Sequence, residues 1–477
     1  MDAERRIADL EAQIAVKDAR IAEQDARIAE LEKKLAALIE ELGRNSSNSN
    51  LPPSSDSPSA RAENNARKRA AKDAKRKRGG QPGHRGARRE LLPPQRVDDV
   101  VDLFPTHCEH CAAELPETQD PEPARFQLTE LPAFEPHTTE YRRHCVKCPR
   151  CSRTTIAPHD TSRIPASPFG PRLMSVIGLL TGVYHLSRRK TAQLLFDVVG
   201  VKVSLGAVSA VEERVSESVK APTQEALQRV LSDKVKHTDG TTWYQSGVAL
   251  TLWVLASSVA TVFKVLANGQ AETLKPLFGR QHGVLVSDRA TALKFWAMDR
   301  RQICWAHLLR KFIKHAERDG PGGKFGQELL DFTGLIFDYW HRYRDGSITR
   351  DKLVALMTPV REQFEATLER AAKSRAEHVA GSCSDVLEHR AALWTFVDEP
   401  HVEPTNNHAE RELRAFVLWR KTCYGSQSER GNRFAERVMT VAHTARKQNQ
   451  NVLEFLTECC VAHVDGGEPP SLFARAA

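Results

Sequence analysis

Hydrophobic residues recur every three or four positions from the start of the chain. Ile7, Leu10, Ile14, Ile21, Ile28, Leu31, Leu35, Leu38 and Leu42 share one seam, interrupted by Lys17 and Gln24. Charged residues fill much of the remainder, and no Gly or Pro occurs before Gly43. This heptad predicts an α-helical coiled coil over 1–42, and a lone helix of this kind needs a partner to cover its seam. A homodimer or higher oligomer is the expectation, with packing back on its own chain as the alternative. The period then vanishes: NSSNSNLPPSSDSPS (45–59) is polar and proline-punctuated, and 43–92 reads as a disordered linker.

Helical periodicity returns over 161–231. LSRRKTAQLLFDVVG (186–200) and LGAVSAVEERV (205–215), separated by a turn at Gly200, fit either a helix-turn-helix or a plain helical hairpin. The second helix is rich in Ala, Val and Glu rather than in the residues that read base edges. After Ser232 the period falls to two. VKHTDGTTWY, VALTLWVLAS and VATVFKVLA read as an antiparallel meander with its first turn at Gln245–Gly247. A helix over 271–278 and the strand GVLVS, ending at Asp288, complete an α/β pattern over 232–304 similar to a ribonuclease-H-like core. A mostly helical stretch over 305–400 interrupts this core, which resumes over 401–465.

The composition fits a multidomain globular chain: 477 residues, 40% hydrophobic and 27% charged. With no apolar run of membrane-spanning length and a charged N-terminus, the expectation is an unexported, cytoplasmic protein with no membrane partner. The net charge of +8 is local. Twelve Lys or Arg between 61 and 90 oppose three acidic residues there, giving +9 and leaving −1 elsewhere. Such a block suits the phosphates of double-stranded DNA, so 43–92 doubles as a DNA-binding arm and the protein as nucleoid-associated. Lys75, Arg76, Lys77, Arg78, His84, Arg85, Arg88 and Arg89 are its candidate contacts.

Five of the ten cysteines fall between 108 and 151. Cys108, Cys111, Cys148 and Cys151 form two CxxC knuckles, enough for a closed tetrahedral structural zinc site in a small domain over 93–160. Cys145 or a nearby histidine is an alternative ligand.

Three carboxylates carry the candidate chemistry. Asp239 lies inside a predicted strand, where the neighbouring Gly240 would let a metal or DNA backbone approach. Asp288 ends a strand, where ligand chemistry concentrates in open α/β sheets, although it would also cap a following helix. Glu410, in NNHAERELR (406–414), fits a capping box with Asn407 and an i,i+4 ion pair with Arg414. Periodicity does not choose between Glu410 and Glu412. Together, the two aspartates and one glutamate have the oxygen donors of a two-metal phosphoryl-transfer site.

The segments LGRNSSNSNLPPSSD (42–56), KRGGQPGHRG (77–86), the paired knuckles, HTDGTTW (237–243), CWAHLLRKF (304–312), PTNNHAERELR (404–414) and YGSQSERG (424–431) resemble the insertion-sequence 66 transposases, a family of DDE transposases. The resemblance implies a zinc-binding domain, a ribonuclease-H-like catalytic core with a helical insertion, and cleavage and strand transfer at element ends. It implies Asp239, Asp288 and Glu410 as catalytic residues holding magnesium or manganese, with His307, Arg310 and Arg414 as active-site support. Partners implied are element-end and target DNA and small accessory transposition proteins. Gly240 and Asn432 depart from the family pattern without removing a proposed ligand. The competing reading is a non-catalytic, zinc-containing DNA-binding protein or repressor; a nuclease with the same core is a third.

Overall fold

The structure, a computed structural model, describes residues 17–18, 20–32, 34–35, 39, 44–49, 56–72, 90–160, 163–376 and 378–473. Residues 20–32 are helical, and the seam residues Ile21, Ile28, Leu31 and Leu35 stand more than half exposed in the single chain. The first part of the expected coiled coil lies outside the described residues, as do all eight candidate DNA contacts between 75 and 89.

The disordered-linker reading does not hold for 56–72. Pro58–Lys72 forms a helix, α1. Its Asn64 and the upstream Ser46 converge on Asp56, whose carboxylate accepts from Ser46 N and Oγ, both at 2.6 Å, and from Asn64 Nδ2 at 3.2 Å. Asn48 then reaches Glu317 Oε2 at 3.2 Å. Short polar side chains here satisfy one another and close a local knot, which a composition-based reading scores only as linker.

Residues 90–160 contribute nothing to any hydrophobic cluster among the described residues. Their regular structure is a 3-10 turn, Pro94–Arg96, and one antiparallel pair, β1 (Cys145–Lys147) with β2 (Thr154–Ile156). Then come α2 (Pro171–Gly178), α3 (Arg188–Val199), α4 (Leu205–Ser218) and α5 (Lys220–Ser232). Ser187 and Ser204 cap α3 and α4 through their hydroxyls, and Gly200, at φ 74°, ends α3. The apolar face of α4, with Val208, Val211 and Val215 fully buried, belongs to the main core.

The sheet has the order β5-β4-β3-β6-β7. β3 (Val235–Gln245), β4 (Val248–Ala256) and β5 (Thr261–Leu266) form the expected meander. Ser246 and Gly247, both at positive φ, make its first turn. After α6 (Ala271–Phe278) the chain crosses over to β6 (Val284–Ser287), parallel to β3. A fifth strand, β7 (Arg301–Ile303), lies parallel to β6; with three residues, it is too short to show a period. Side chains of β4 alternate between two cores: Trp253 and Leu255 meet the α2, α4 and α5 layer, while Leu252, Val254 and Ala256 meet the opposite one.

The stretch after β7 is helical, as expected: α7 (Trp305–Ala316), α8 (Gly320–Arg344), α9 (Arg350–Ala372), α10 (Val379–Glu388) and the short α11 (Thr395–Asp398). These helices build a core of their own that also takes in Val284, Val286 and Ile303 of the sheet. The chain returns with α12 (Asn407–Cys423), α13 (Glu429–Lys447) and α14 (Val452–Asp465). α13 closes the free edge of the sheet by side-chain chemistry. Glu436 Oε1, Thr440 Oγ1 and Thr444 Oγ1, one helical turn apart, accept from the backbone N–H groups of Val265, Phe263 and Thr261. Three donors that an edge strand would otherwise expose are thereby paired.

Candidate active site

The register of two parallel strands sets the first two carboxylates side by side. Val235, Lys236 and His237 of β3 stand opposite Val284, Leu285 and Val286 of β6. Two residues beyond the last of these pairs come Asp239, still in β3, and Asp288, just past the end of β6. Asp239 is half-buried, and its Oδ1 accepts from the Gly240 N–H at 2.8 Å. A Cβ on Gly240 would stand 3.2 Å from the Trp253 ring, so the glycine also admits the indole. Asp288 caps no α-helix. Its Oδ1 accepts from Ala290 N at 2.9 Å, and only a 3-10 turn, Thr291–Leu293, follows. Its carbonyl and the Ser287 hydroxyl accept from Nη2 of the fully buried Arg301, at 3.0 and 3.1 Å.

Glu410 arrives on the first turn of α12. The capping box is not formed: the N-cap is Asn406, and no side chain closes it. The ion pair with Arg414 is not formed either, and Arg414 is exposed. Glu410 Oε1 instead faces His307 Nδ1 at 3.6 Å and Oε2 faces Arg310 Nη2 at 3.8 Å, both from α7. The start of α7 is tied to the segment before α12 by Trp305 N donating to Pro404 O at 2.9 Å. The ambiguity with Glu412 resolves in space. Glu412 turns the other way, accepting from His443 Nδ1 at 2.5 Å and pairing with Lys447 at 3.0 Å. Burial pushes its carboxyl up, but these partners outweigh it and hold it at about 2.

Asn406 is the junction that sequence reasoning missed. Fully buried, it donates from Nδ2 to Thr238 O at 2.8 Å, sets Oδ1 3.3 Å from His237 Nδ1, and donates its backbone N–H to Cys304 Sγ at 3.1 Å. It joins the strand of Asp239, the helix of Glu410 and the helix of His307. Nothing in its surroundings along the chain marks that role. Asn406→Ala is expected to lower stability by about 2–3 kcal/mol, since it strands a buried carbonyl and an imidazole; urea unfolding with an unchanged m-value checks this.

Negative charge crowds Asp239. Burial, then the Asp288 and Glu410 carboxylates, push Asp239 up to about 7, opposed by the Gly240 N–H and by Arg310. Glu410 Oε1 and His307 Nδ1 are buried with no hydrogen-bond partner. Asp239 with two carboxylates acting on it, one of them carrying an orphaned acceptor, fits hard divalent cations, whose oxygen ligands they would be.

The cysteine knuckles share one backbone form. Cys108 N donates to Ala113 O and Ala112 N to Cys108 O, both at 2.9 Å; Cys148 N donates to Arg153 O at 2.8 Å and Ser152 N to Cys148 O at 2.9 Å. Ala112 and Ser152 occupy the same left-handed position, at φ 55° and 58°. Backbone N–H groups of His110 and Cys111 lower the Cys108 thiol's pKa, and those of Cys151 and Arg150 lower that of Cys148. The two knuckles do not gather into one tight set. Among the described residues, the set whose potential ligand atoms lie within 4.8 Å of one another is Cys304, His307 and Glu410.

Comparison with known proteins follows this geometry. The pattern of the family described as "Transposase IS66 family" matches residues 166–434, which takes in Asp239, Asp288, His307, Arg310 and Glu410. A family of unknown function matches residues 2–90. The uncharacterized protein y4qI of Sinorhizobium fredii is 26% identical over 164 residues, 32% of this chain and 29% of that protein. The chain thus spans less than a third of that relative's length.

Proposed function

Because the chain belongs to the IS66 transposase family, we propose that it cleaves DNA at insertion-sequence ends and joins the exposed 3′-hydroxyls to target DNA by a DDE mechanism. The observation that carries this reading is the parallel pairing that brings the strand ends of Asp239 and Asp288 together, with both Asp288 and Glu410 close enough to raise the Asp239 carboxyl. The mixed five-stranded sheet, with its meander, crossover and late helix, supports a ribonuclease-H-like core over 232–304 and 401–465, split by the helical insertion at 305–400.

Asp239, Asp288 and Glu410 would hold magnesium or manganese ions. When bound, these supply Lewis-acid activation of the attacking hydroxyl and stabilisation of the leaving oxygen. The chain's own residues do the positioning. Arg301 clamps the backbone at Asp288, and Asn406 ties the strand of Asp239 to the helix of Glu410. Arg310 offsets part of the negative charge, and His307 faces the Glu410 carboxylate. Arg414 is exposed on α12 and would give its support from the surface.

Zinc on Cys108, Cys111, Cys148 and Cys151 would fold the 93–160 segment, which lacks a core of its own. The matched knuckles with amide-stabilised thiols support this. The uncovered seam of the N-terminal helix supports self-association, and the basic block supports backbone contacts to DNA.

The test uses full-length protein and a plasmid carrying the inverted repeats that flank its gene. With magnesium, joined products whose 3′ ends lie at the repeat boundaries are expected. Hydrolysis without joining would make the chain a nuclease, and metal-independent end binding without cleavage would make it a repressor.

A further inference from the structure

We propose that Cys304, His307 and Glu410 form a second cation site, selective for a borderline transition ion such as zinc, which competes with the two aspartates for Glu410. The inference rests on the reading of Glu410 as an active-site carboxylate.

The donor set is the first argument. Cys304 Sγ, His307 nitrogen and a Glu410 oxygen lie within 4.8 Å of one another, and neither Asp239 nor Asp288 joins them in such a group. Thiolate, imidazole and carboxylate are zinc's preferred ligands, whereas magnesium takes oxygen donors and keeps its waters. The spacing fits as well. With ordinary bond lengths, tetrahedral zinc sets its N, O and S ligands about 3.3–3.6 Å apart, and His307 Nδ1 stands 3.6 Å from Glu410 Oε1.

The second argument is the unmet bonding of these atoms. His307 Nδ1 and Glu410 Oε1 are buried, face each other, and have no hydrogen-bond partner. Two buried lone-pair groups left facing each other are costly, and with the imidazole proton on Nε2 one cation between them satisfies both. Cys304 is fully buried, and its sulfur accepts the Asn406 backbone N–H at 3.1 Å, the kind of bond that steadies a metal-bound thiolate. Three protein ligands leave a fourth position open. Cys304 and His307 lie one turn apart at the start of α7, and Glu410 lies in the first turn of α12. An ion here would hold Oε1 toward α7 and away from the aspartates, so zinc would antagonise magnesium.

Cobalt(II), titrated into metal-stripped full-length protein, is the probe. The knuckle cysteines also bind it, so wild type is compared with Cys304→Ser. Wild type is expected to hold about one more cobalt per chain and to show a stronger thiolate-to-cobalt charge-transfer band. His307→Gln and Glu410→Gln should each weaken that extra cobalt at least about tenfold. Zinc should inhibit magnesium-dependent cleavage by wild type, and Cys304→Ser should need at least about ten times more zinc for the same inhibition. Equal cobalt content and identical bands in folded wild type and Cys304→Ser would overturn the site. If the extra band appears but no protein cleaves DNA with magnesium, the transposase reading fails while the cation site stands.

Discussion

Asp239→Asn, Asp288→Asn and Glu410→Gln are each expected to lower magnesium-dependent strand transfer by at least about a thousandfold, roughly 4 kcal/mol of transition-state stabilisation. Each removes one anionic oxygen donor while keeping shape and hydrogen-bonding capacity, so binding to end-containing DNA should be unchanged in a gel-shift assay. The three losses should not add, because ligands of one metal-bound unit fail together: any double variant should be about as inactive as a single one. Glu412→Gln is the control. Its carboxylate is engaged by His443 and Lys447 on the far side of α12, so it should cost stability while sparing chemistry at the aspartates. Strand transfer at the wild-type rate by Glu410→Gln would remove it from the ligand set.

The same Asp239→Asn change is expected to stabilise the metal-free protein above neutral pH, by on the order of 1–3 kcal/mol after allowance for partial solvent contact. Asp239 sits at about 7 in the folded chain, against an ordinary 3.8. Its folded pKa is raised, so between those values the native state binds more protons than the unfolded one, and stability falls as pH rises. The wild type should therefore lose ground to Asp239→Asn as pH rises from about 4 to about 7, with the gap constant above that. Thermal melts in chelator across that range measure it. Magnesium should raise the melting temperature of the wild type more than that of Asp239→Asn, because a bound cation restores the missing positive charge.

The elements from 232 onward were legible because their periods are long and clean. The meander with its turn after Gln245, the helix over 271–278, the strand ending at Asp288 and the helical stretch from 305 all appear where alternation and helical spacing put them. The 56–72 helix was hidden by linker-like composition, and β7 by its brevity. Local rules also offered Asp288 and Glu410 a capping role. Asp288 keeps a local bond, from Ala290 N, but no α-helix follows it, whereas the partners of Glu410 come from α7, far along the chain.

By itself, the sequence determined the order of elements, the local basic charge, the paired knuckles and the residue types available for chemistry, because periodicity, charge and spacing are properties of neighbours along the chain. Only the tertiary structure decided which carboxylates meet. Parallel pairing of β3 with β6 brought the strand ends of Asp239 and Asp288 together, and packing of α12 against β3 and β4 set Glu410 against α7 and Glu412 against α13. It also placed Cys304 against Glu410, with more than a hundred residues of chain between them. Such contacts are fixed by strand register and by the burial of distant apolar faces, which no local pattern encodes.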